Sequence, residues 1–242
     1  MKKNIIYGLH PVIEAIKSGR YIDKIFIRKG LKGSTYFELK DLIDETNINF
    51  KIVPQEKLNR ITRENHQGVV AFISPIKILD VEELLEMNLV KDNIIYVLLD
   101  GVTDPRNFGA IIRTAVAVGV SGIIISENNS APINEDVVKT SAGGIFNISI
   151  ARAKHLLDVI FLLKSYKIKI FAATEKSNQL VYNSNLKQSF ALVMGSEGKG
   201  INKNILKNCD KTFKLPISNK IQSLNVSVAA GVILFEALRQ RL

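Results

Sequence analysis

One cysteine in 242 residues, Cys209, excludes both an internal disulfide framework and a cysteine zinc cluster. It sits between Asn208 and Asp210 with no histidine nearby in sequence, which reads as inert rather than nucleophilic. The three histidines, His10, His66 and His155, are scattered without metal-ligand spacing, so no metal is expected. No apolar run approaches the ~18 residues of a membrane span, and no membrane partner is expected. Met1-Lys-Lys has the look of a leader's charged start, but His10, Pro11 and Glu14 interrupt any apolar core behind it. A soluble cytoplasmic protein is the expectation. Familiar phosphate fingerprints are missing as well. Gly195-Ser-Glu-Gly198-Lys-Gly200 lacks the GxGxxG spacing, and Ile201 stands where a P-loop needs its Lys-Ser pair. That disfavours a dinucleotide-dependent oxidoreductase. There is no internal repeat and no low-complexity tract.

What the chain has in excess is positive charge, a net +10. Such a surface favours a polyanion, with nucleic acid foremost. Residues 1–76 carry 13 Lys and Arg against 8 Asp and Glu, and the remaining 166 carry 20 against 15. Charge density is therefore about twice as high in the smaller part, which suggests an electrostatic landing surface; a solvated helix face is the bland alternative.

The pattern predicts three segments. Residues 1–76 read as a small α/β unit, with a helix around Pro11–Ile16, strands at Ile22–Ile27, Phe50–Val53 and Val69–Ile73, and a helix at Thr35–Glu45. Residues 77–92, with Asp80, Glu82, Glu83 and Glu86, read as a linker ending in a short helix. Residues 93–242 alternate strands (Ile94–Leu99, Gly122–Ile125, Phe146–Ile150, Ile168–Ala173, Phe190–Met194, Lys211–Leu215) with helices (Phe108–Val118, Glu135–Thr140, Ala153–Ser165, Asn202–Lys207, Ser223–Arg241). Such alternation argues for a mostly parallel sheet covered on both faces. The last helix shows no polar face before Glu236, which predicts a subunit interface or an enclosed C-terminus.

Three polar islands interrupt the apolar pattern. The first, Asp100–Thr114, places Asp104, Pro105, Arg106, Asn107, Gly109 and Arg113 on a turn that opens a helix after a strand. The second is Met194–Gly200 and the third Leu215–Ser227. Turns at the carboxyl ends of strands are where open α/β sheets bind ligands, so the three suggest one composite site. The glycines of the second would let a ligand approach the backbone. Glu197 among them disfavours a phosphate and suits a neutral or cationic ligand.

Taken in order, the islands resemble the signature motifs of the SpoU–TrmH group of ribose 2'-O-methyltransferases. Asn107-x-Gly109-x-x-x-Arg113-Thr114 is similar to the first motif, Met194-Gly-Ser-Glu-Gly198 with Gly200 to the second, and Leu215-Pro216 with Ser223-Leu-Asn-Val-Ser227 to the third. Tyr7-Gly-Leu-His-Pro-Val-Ile-Glu-Ala15 and His66-Gln-Gly-Val-Val70 resemble the substrate-binding domain of the bacterial 23S rRNA guanosine-2'-O-methyltransferases. The resemblance spans nearly the whole chain. It implies an RNA-binding domain (1–76), a linker (77–92) and a catalytic domain (93–242) with a C-terminal trefoil knot, an exception to the rule against threaded chains. It also implies S-adenosyl-L-methionine, whose sulfonium and ammonium suit the second island, large-subunit ribosomal RNA as partner, and a homodimer. Cofactor contacts then fall on Gly195, Leu215 and Leu224. Catalytic or substrate roles fall on Asn107, Arg113, Glu197, Ser223 and Asn225. Two positions depart from the pattern: Asn219 where many relatives have glycine, and Ile217 where the signature has methionine.

Methyl transfer to a 2'-hydroxyl needs a held hydroxyl, a held donor and charge control. A guanidinium holds its proton too tightly to be a good base, so Arg113 is read as gripping a phosphate and stabilising the developing alkoxide. Asn107 offers both donor and acceptor to ribose or phosphate. Glu197 is read as fixing the glycine loop or pairing with an arginine. Ser223 and Asn225 have the alternative of capping the last helix, with Asn225 placed inside its first turn. Two other functions stay open at this stage: a tRNA ribose methyltransferase, and a non-catalytic RNA-binding ribosome-assembly factor.

Overall fold

The continuous apolar run Val69–Ile73 and the apolar Ile25–Ile27 within Ile22–Arg28 suit the two strands at the centre of the first of two sheets. The structure, a computed structural model, describes residues 5–90, 92–218 and 220–242. The expected leader-like start and the departure at Asn219 lie outside the described residues. The chain divides into two compact units: the chain up to Lys77 together with Ile133–Glu135, and Ile78–Pro132 with Asp136–Leu242.

The first unit contains β1 (Ile5–Tyr7), α1 (Leu9–Lys17), β2 (Ile22–Arg28), α2 (Ser34–Thr46), β3 (Phe50–Val53), α3 (Gln55–Ile61) and β4 (Val69–Ile73). Its sheet runs β1-β4-β2-β3, antiparallel except for the β2/β3 pair. Val12, Ile13 and Ile16 of α1 and Leu39 and Ile43 of α2 pack on Ile25, Ile27, Val69 and Ala71. Leu58 of α3 packs with Val53 and Val70 on the other face. Pro11 lies in the first turn of α1, where its missing N–H is tolerated. The two motifs of this unit meet: Gln67 Oε1 accepts the Leu9 backbone N–H at 3.3 Å. His66 holds its own turn, its Nδ1 accepting from the Gly68 N–H at 3.0 Å and its Nε2 meeting Asn59 Oδ1 at 2.8 Å.

The second unit contains α4 (Val81–Glu86), β5 (Ile95–Asp100), α5 (Pro105–Val118), β6 (Gly122–Ser126), α6 (Glu135–Thr140), β7 (Ile150–Ala153), α7 (Leu156–Ser165), β8 (Lys169–Ala173), β9 (Phe190–Gly195), α8 (Lys203–Lys207), β10 (Lys211–Phe213) and α9 (Val226–Arg241). All six strands are parallel, in the order β10-β8-β9-β5-β6-β7. The α/β class with a mostly parallel sheet is as expected. Tyr96, Leu98, Ile124, Ile170 and Val193 point to a core shared with α4, α7 and α8. Successive strand residues face opposite ways, and α9 packs against both α5 and β9.

Three expectations need correction. Within the expected linker, the stretch from Ile78 joins the second unit, with Leu79, Val81, Leu84 and Leu85 buried in its core. Leu79 also bridges to β7, with its N–H on Ile150 O at 2.9 Å and its carbonyl accepting from Arg152 N at 3.0 Å. The strand expected at Phe146–Ile150 starts at Ile150, because Ala142 and Gly143 turn left-handed (φ 50° and 77°) into a 3₁₀ turn over Gly144–Asn147. The last helix begins at Val226, not Ser223, because Asn225 is its cap.

Candidate active site

Parallel pairing of β5 with β9 sets Asp100 opposite Gly195, so the first two islands leave the sheet side by side. Strand order reverses here: β6 and β7 extend to one side of β5, while β8 and β10 lie beyond β9. Such switch points are where open α/β sheets bind ligands. Asp104 caps α5 by accepting from the Arg106 N–H at 2.8 Å, and Pro105 follows at the first helical position. That start puts Asn107 in the first turn, over the sheet's carboxyl edge. A Cβ on Gly109 would meet the Thr140 side chain and come within 3.1 Å of the Ser141 backbone nitrogen, so only glycine lets α5 seat there.

The second island is a folded-back loop. Gly200 N donates to Ser196 O at 2.9 Å, and the Asp100 carboxylate accepts the Asn202 N–H at 2.7 Å, pinning the loop to β5. A Cβ on Gly195 would stand 2.3 Å from the carbonyl carbon of Gly200, so this glycine is required by the loop's own backbone. Gly200 sits at φ +65°, whereas a Cβ on Gly198 would meet nothing within 4 Å. Close ligand approach, the reason expected for these glycines, is therefore not what the geometry demands at Gly195.

The expected residues fall into three groups. Gly195, Leu215, Leu224, Glu197 and Ser223 line one cavity of about 470 Å³, with Met194, Ile217 and Phe213 among its apolar walls. Asn107, Glu197 and Asn225 form a hydrogen-bonded triad. Asn107 Nδ2 donates to Glu197 Oε1 at 2.7 Å, and Asn225 Nδ2 donates to the same oxygen at 2.8 Å and to Asn107 Oδ1 at 2.9 Å. Asn225 Oδ1 meanwhile caps α9, accepting from Ser227 N at 2.8 Å and Ser227 Oγ at 2.6 Å. The capping reading belongs to Asn225 rather than Ser223, and Glu197 pairs with two amides rather than an arginine. Arg113 stands apart: it is exposed on α5, is not among the cavity's lining residues, and makes no hydrogen bond or ion pair among the described residues.

Sequence reasoning missed a fourth polar stretch, Thr174-Glu175-Lys176, which lines the same cavity from the end of β8. Its position after a parallel strand was the available signal. Among the described residues, no group of three His, Cys, Asp or Glu could hold a metal ion, and no helix is long and apolar enough to cross a membrane.

Comparison with known proteins decides the family. The profile of the SpoU rRNA Methylase family matches residues 94–235, and that of RNA 2'-O ribose methyltransferase substrate binding matches residues 5–79. The chain belongs to the SpoU rRNA methylase family. It is an RNA 2'-O-methyltransferase, as the resemblance of the three islands implied. A Staphylococcus aureus protein assigned to the TrmH family of tRNA/rRNA methyltransferases is 37% identical over 243 residues, spanning 100% of this chain and 98% of the relative. A 23S rRNA (guanosine-2'-O-)-methyltransferase of Blochmanniella floridana is 38% identical, over 98% of this chain and 95% of its own length. Among solved structures, an AdoMet-bound rRNA methyltransferase from Sinorhizobium meliloti superposes with a TM-score of 0.64 at 28% identity, covering 98% of this chain and 87% of that one.

Proposed function

We propose that this enzyme methylates the ribose 2'-hydroxyl of a guanosine in 23S ribosomal RNA, in the cytoplasm. The observation that carries the reading is the exposed Asn107–Glu197–Asn225 triad set beside the cavity, where one amide-held carboxylate oxygen meets a ligand-sized recess. The methyl donor is S-adenosylmethionine, which supplies an electrophilic methyl group when bound. The cavity suits it in size, being within the roughly 300–1,000 Å³ of small-molecule sites. Its lining suits it as well, with apolar Leu215, Ile217 and Leu224 for an adenine and the Glu197 carboxylate for a cationic group.

This chain's residues then have separable tasks. Gly195–Gly200, Leu215 and Leu224 hold the donor. Asn107 and Asn225 orient Glu197, and Asn107 presents its amide to the incoming ribose. Ser223 shares the cavity wall. Arg113, on an exposed helix face, grips the phosphate next to the target and steadies the negative charge that develops on the attacking 2'-oxygen. The first unit (residues 1–76 in the reading from sequence) supplies affinity for the RNA.

The same reading carries a threaded C-terminal segment and a homodimer. Val228, Val232 and Phe235 recur along one side of α9 and stay 52%, 38% and 52% exposed, an apolar stripe suited to a second copy. The helix end is meanwhile tied back, with Gln240 accepting from Leu186 N and Arg241 donating to Gln188 O, each at 2.8 Å. A tRNA target is the competing substrate, since the S. aureus relative is assigned to both RNA classes. Incubation with labelled S-adenosylmethionine and total rRNA and tRNA, followed by mapping of the methylated nucleotide, separates the two. Label on a guanosine ribose of 23S rRNA is the expected result, and label confined to tRNA overturns the rRNA assignment.

A further inference from the structure

The sheet of the first unit has one face closed by α1 and α2 and another covered only in part. Register places the residues of that second face in rows. Ile5, Phe72 and Lys24 form one row across β1, β4 and β2, and Tyr7, Val70, Phe26 and Lys51 form the next across all four strands. Among the described residues the helix on this side is α3, which has seven residues, and its Leu58 buries against Val53 and Val70. Tyr7, Phe26 and Phe72 therefore stay partly exposed on an otherwise well-packed sheet.

Three aromatic rings on neighbouring strands would serve core packing if they were sealed, but here charge surrounds them. Phe26 and Phe72 meet edge to face, with centroids 5.6 Å apart and planes at 82°. Lys57 Nζ lies 5.0 Å from the Phe26 centroid. Arg28 ends the same strand as Phe26, its Nη1 reaching Gln55 Oε1 at 3.4 Å and its Nε buried without a hydrogen-bond partner among the described residues. Lys24 and Lys51 occupy the register positions beside Phe72 and Phe26. Glu56 is the one acid on α3.

We infer that this face is a stacking platform for unpaired bases of the RNA substrate, with the lysines and Arg28 following the backbone. Aromatic side chains flanked by cations on a sheet are how single-stranded RNA is gripped, because every base has a π-face while only the backbone carries charge. An apolar protein partner would gain nothing from four cations interleaved with the rings, each of which it would have to desolvate. The inference rests on the reading of this unit as the RNA-binding part of a ribose methyltransferase, and it adds which surface binds and what it recognises.

The test uses the full chain and a short single-stranded RNA carrying 5-iodouridine, with a duplex of the same sequence as competitor. Irradiation followed by mass spectrometry should place adducts on Tyr7, Phe26 or Phe72. Phe72→Leu, which keeps an apolar side chain but removes the ring, should weaken single-strand binding about tenfold. It should leave the salt dependence and cofactor affinity unchanged. Lys57→Gln should instead lower the slope of log affinity against log salt by about 1. Adducts confined to the second unit, duplex competing as well as single strand, or Phe72→Leu binding like wild type would each overturn the platform. Methylation of rRNA by the wild-type protein is read in parallel. If it persists while the platform fails, the proposed function stands, and if RNA binding and methylation are both absent, both readings fall.

Discussion

Asn225 donates through Nδ2 to Glu197 Oε1 at 2.8 Å while its Oδ1 receives the Ser227 N–H at 2.8 Å. One side-chain amide thus closes the N-terminus of the last helix and holds the carboxylate of the second island. The two tasks can be separated. Asn225→Ser keeps a good cap, so stability should change by no more than about 0.5 kcal/mol. The shorter hydroxyl cannot also reach Glu197 and Asn107, and single-turnover methylation should fall on the order of 10²-fold, as when a preorganised donor is removed. A variant that methylates at the wild-type rate would reduce Asn225 to a cap.

The glycine loop makes a differential prediction. Gly195→Ala drives a Cβ to 2.3 Å from Gly200 and 2.4 Å from Ile201 backbone atoms, so the loop must move. Gly198→Ala meets open space at an ordinary backbone conformation. Calorimetry should show at least roughly tenfold weaker S-adenosylmethionine binding for the first, about 1.4 kcal/mol, and no measurable change for the second. Equal affinities in the two folded variants would remove the loop from the cofactor pocket.

Acid stability should carry the mark of Glu236. Bonds from Arg239, at 2.8 and 2.9 Å, and then from Gln240, at 2.8 Å, lower its carboxyl from an ordinary 4.5 to about 2. A depressed carboxylate stabilises the fold fully above its unfolded value and loses that contribution as pH falls from about 4.5 through about 2. Glu236→Gln should therefore melt lower than wild type at pH 7, by about 2–4 °C for roughly 1 kcal/mol. The two melting curves should converge as pH falls through that window. A gap that stays constant down to pH 2 would show that Glu236 acts through packing instead of charge.

Reading from sequence worked where local chemistry and periodicity agreed. The apolar spacing of Phe108–Val118 announces α5, whose start the structure extends back to Pro105 behind the Asp104 cap, and β-branched runs such as Ile123–Ile125 announce strands. It failed where two local signals competed or where polar residues hid apolar ones. Ser223 and Asn225 are both capping types, and only the fold decides which oxygen reaches the free N–H groups. The acids between Asp80 and Glu86 conceal Val81, Leu84 and Leu85, whose helical spacing buries them. The three residues of β1 and the mostly polar α3, with Leu58 alone fully buried, are too short for a periodicity to register. The Asn107–Glu197–Asn225 contact joins residues 90 and 28 positions apart and follows from the pairing of Asp100 with Gly195, which no spacing encodes.

Arg113 is the residue on which motif and geometry pull apart. The motif groups it with Asn107, yet six residues along α5 is well over one and a half turns, and Arg113 stands exposed away from the cavity lining. A guanidinium so placed, with no side-chain partner among the described residues, can meet a phosphate in two parallel hydrogen bonds. Arg113→Lys keeps the charge and loses that fork, so it should cost ~2–4 kcal/mol of transition-state stabilisation. Cofactor affinity should stay put, because Arg113 lines no part of the pocket. A solvated helix residue would instead accept lysine with no effect in any assay. Single-turnover methylation at saturating RNA and cofactor decides: a rate within about twofold of wild type, well under 1 kcal/mol, would take Arg113 out of the chemistry and leave the Asn107–Glu197–Asn225 triad to control the charge alone.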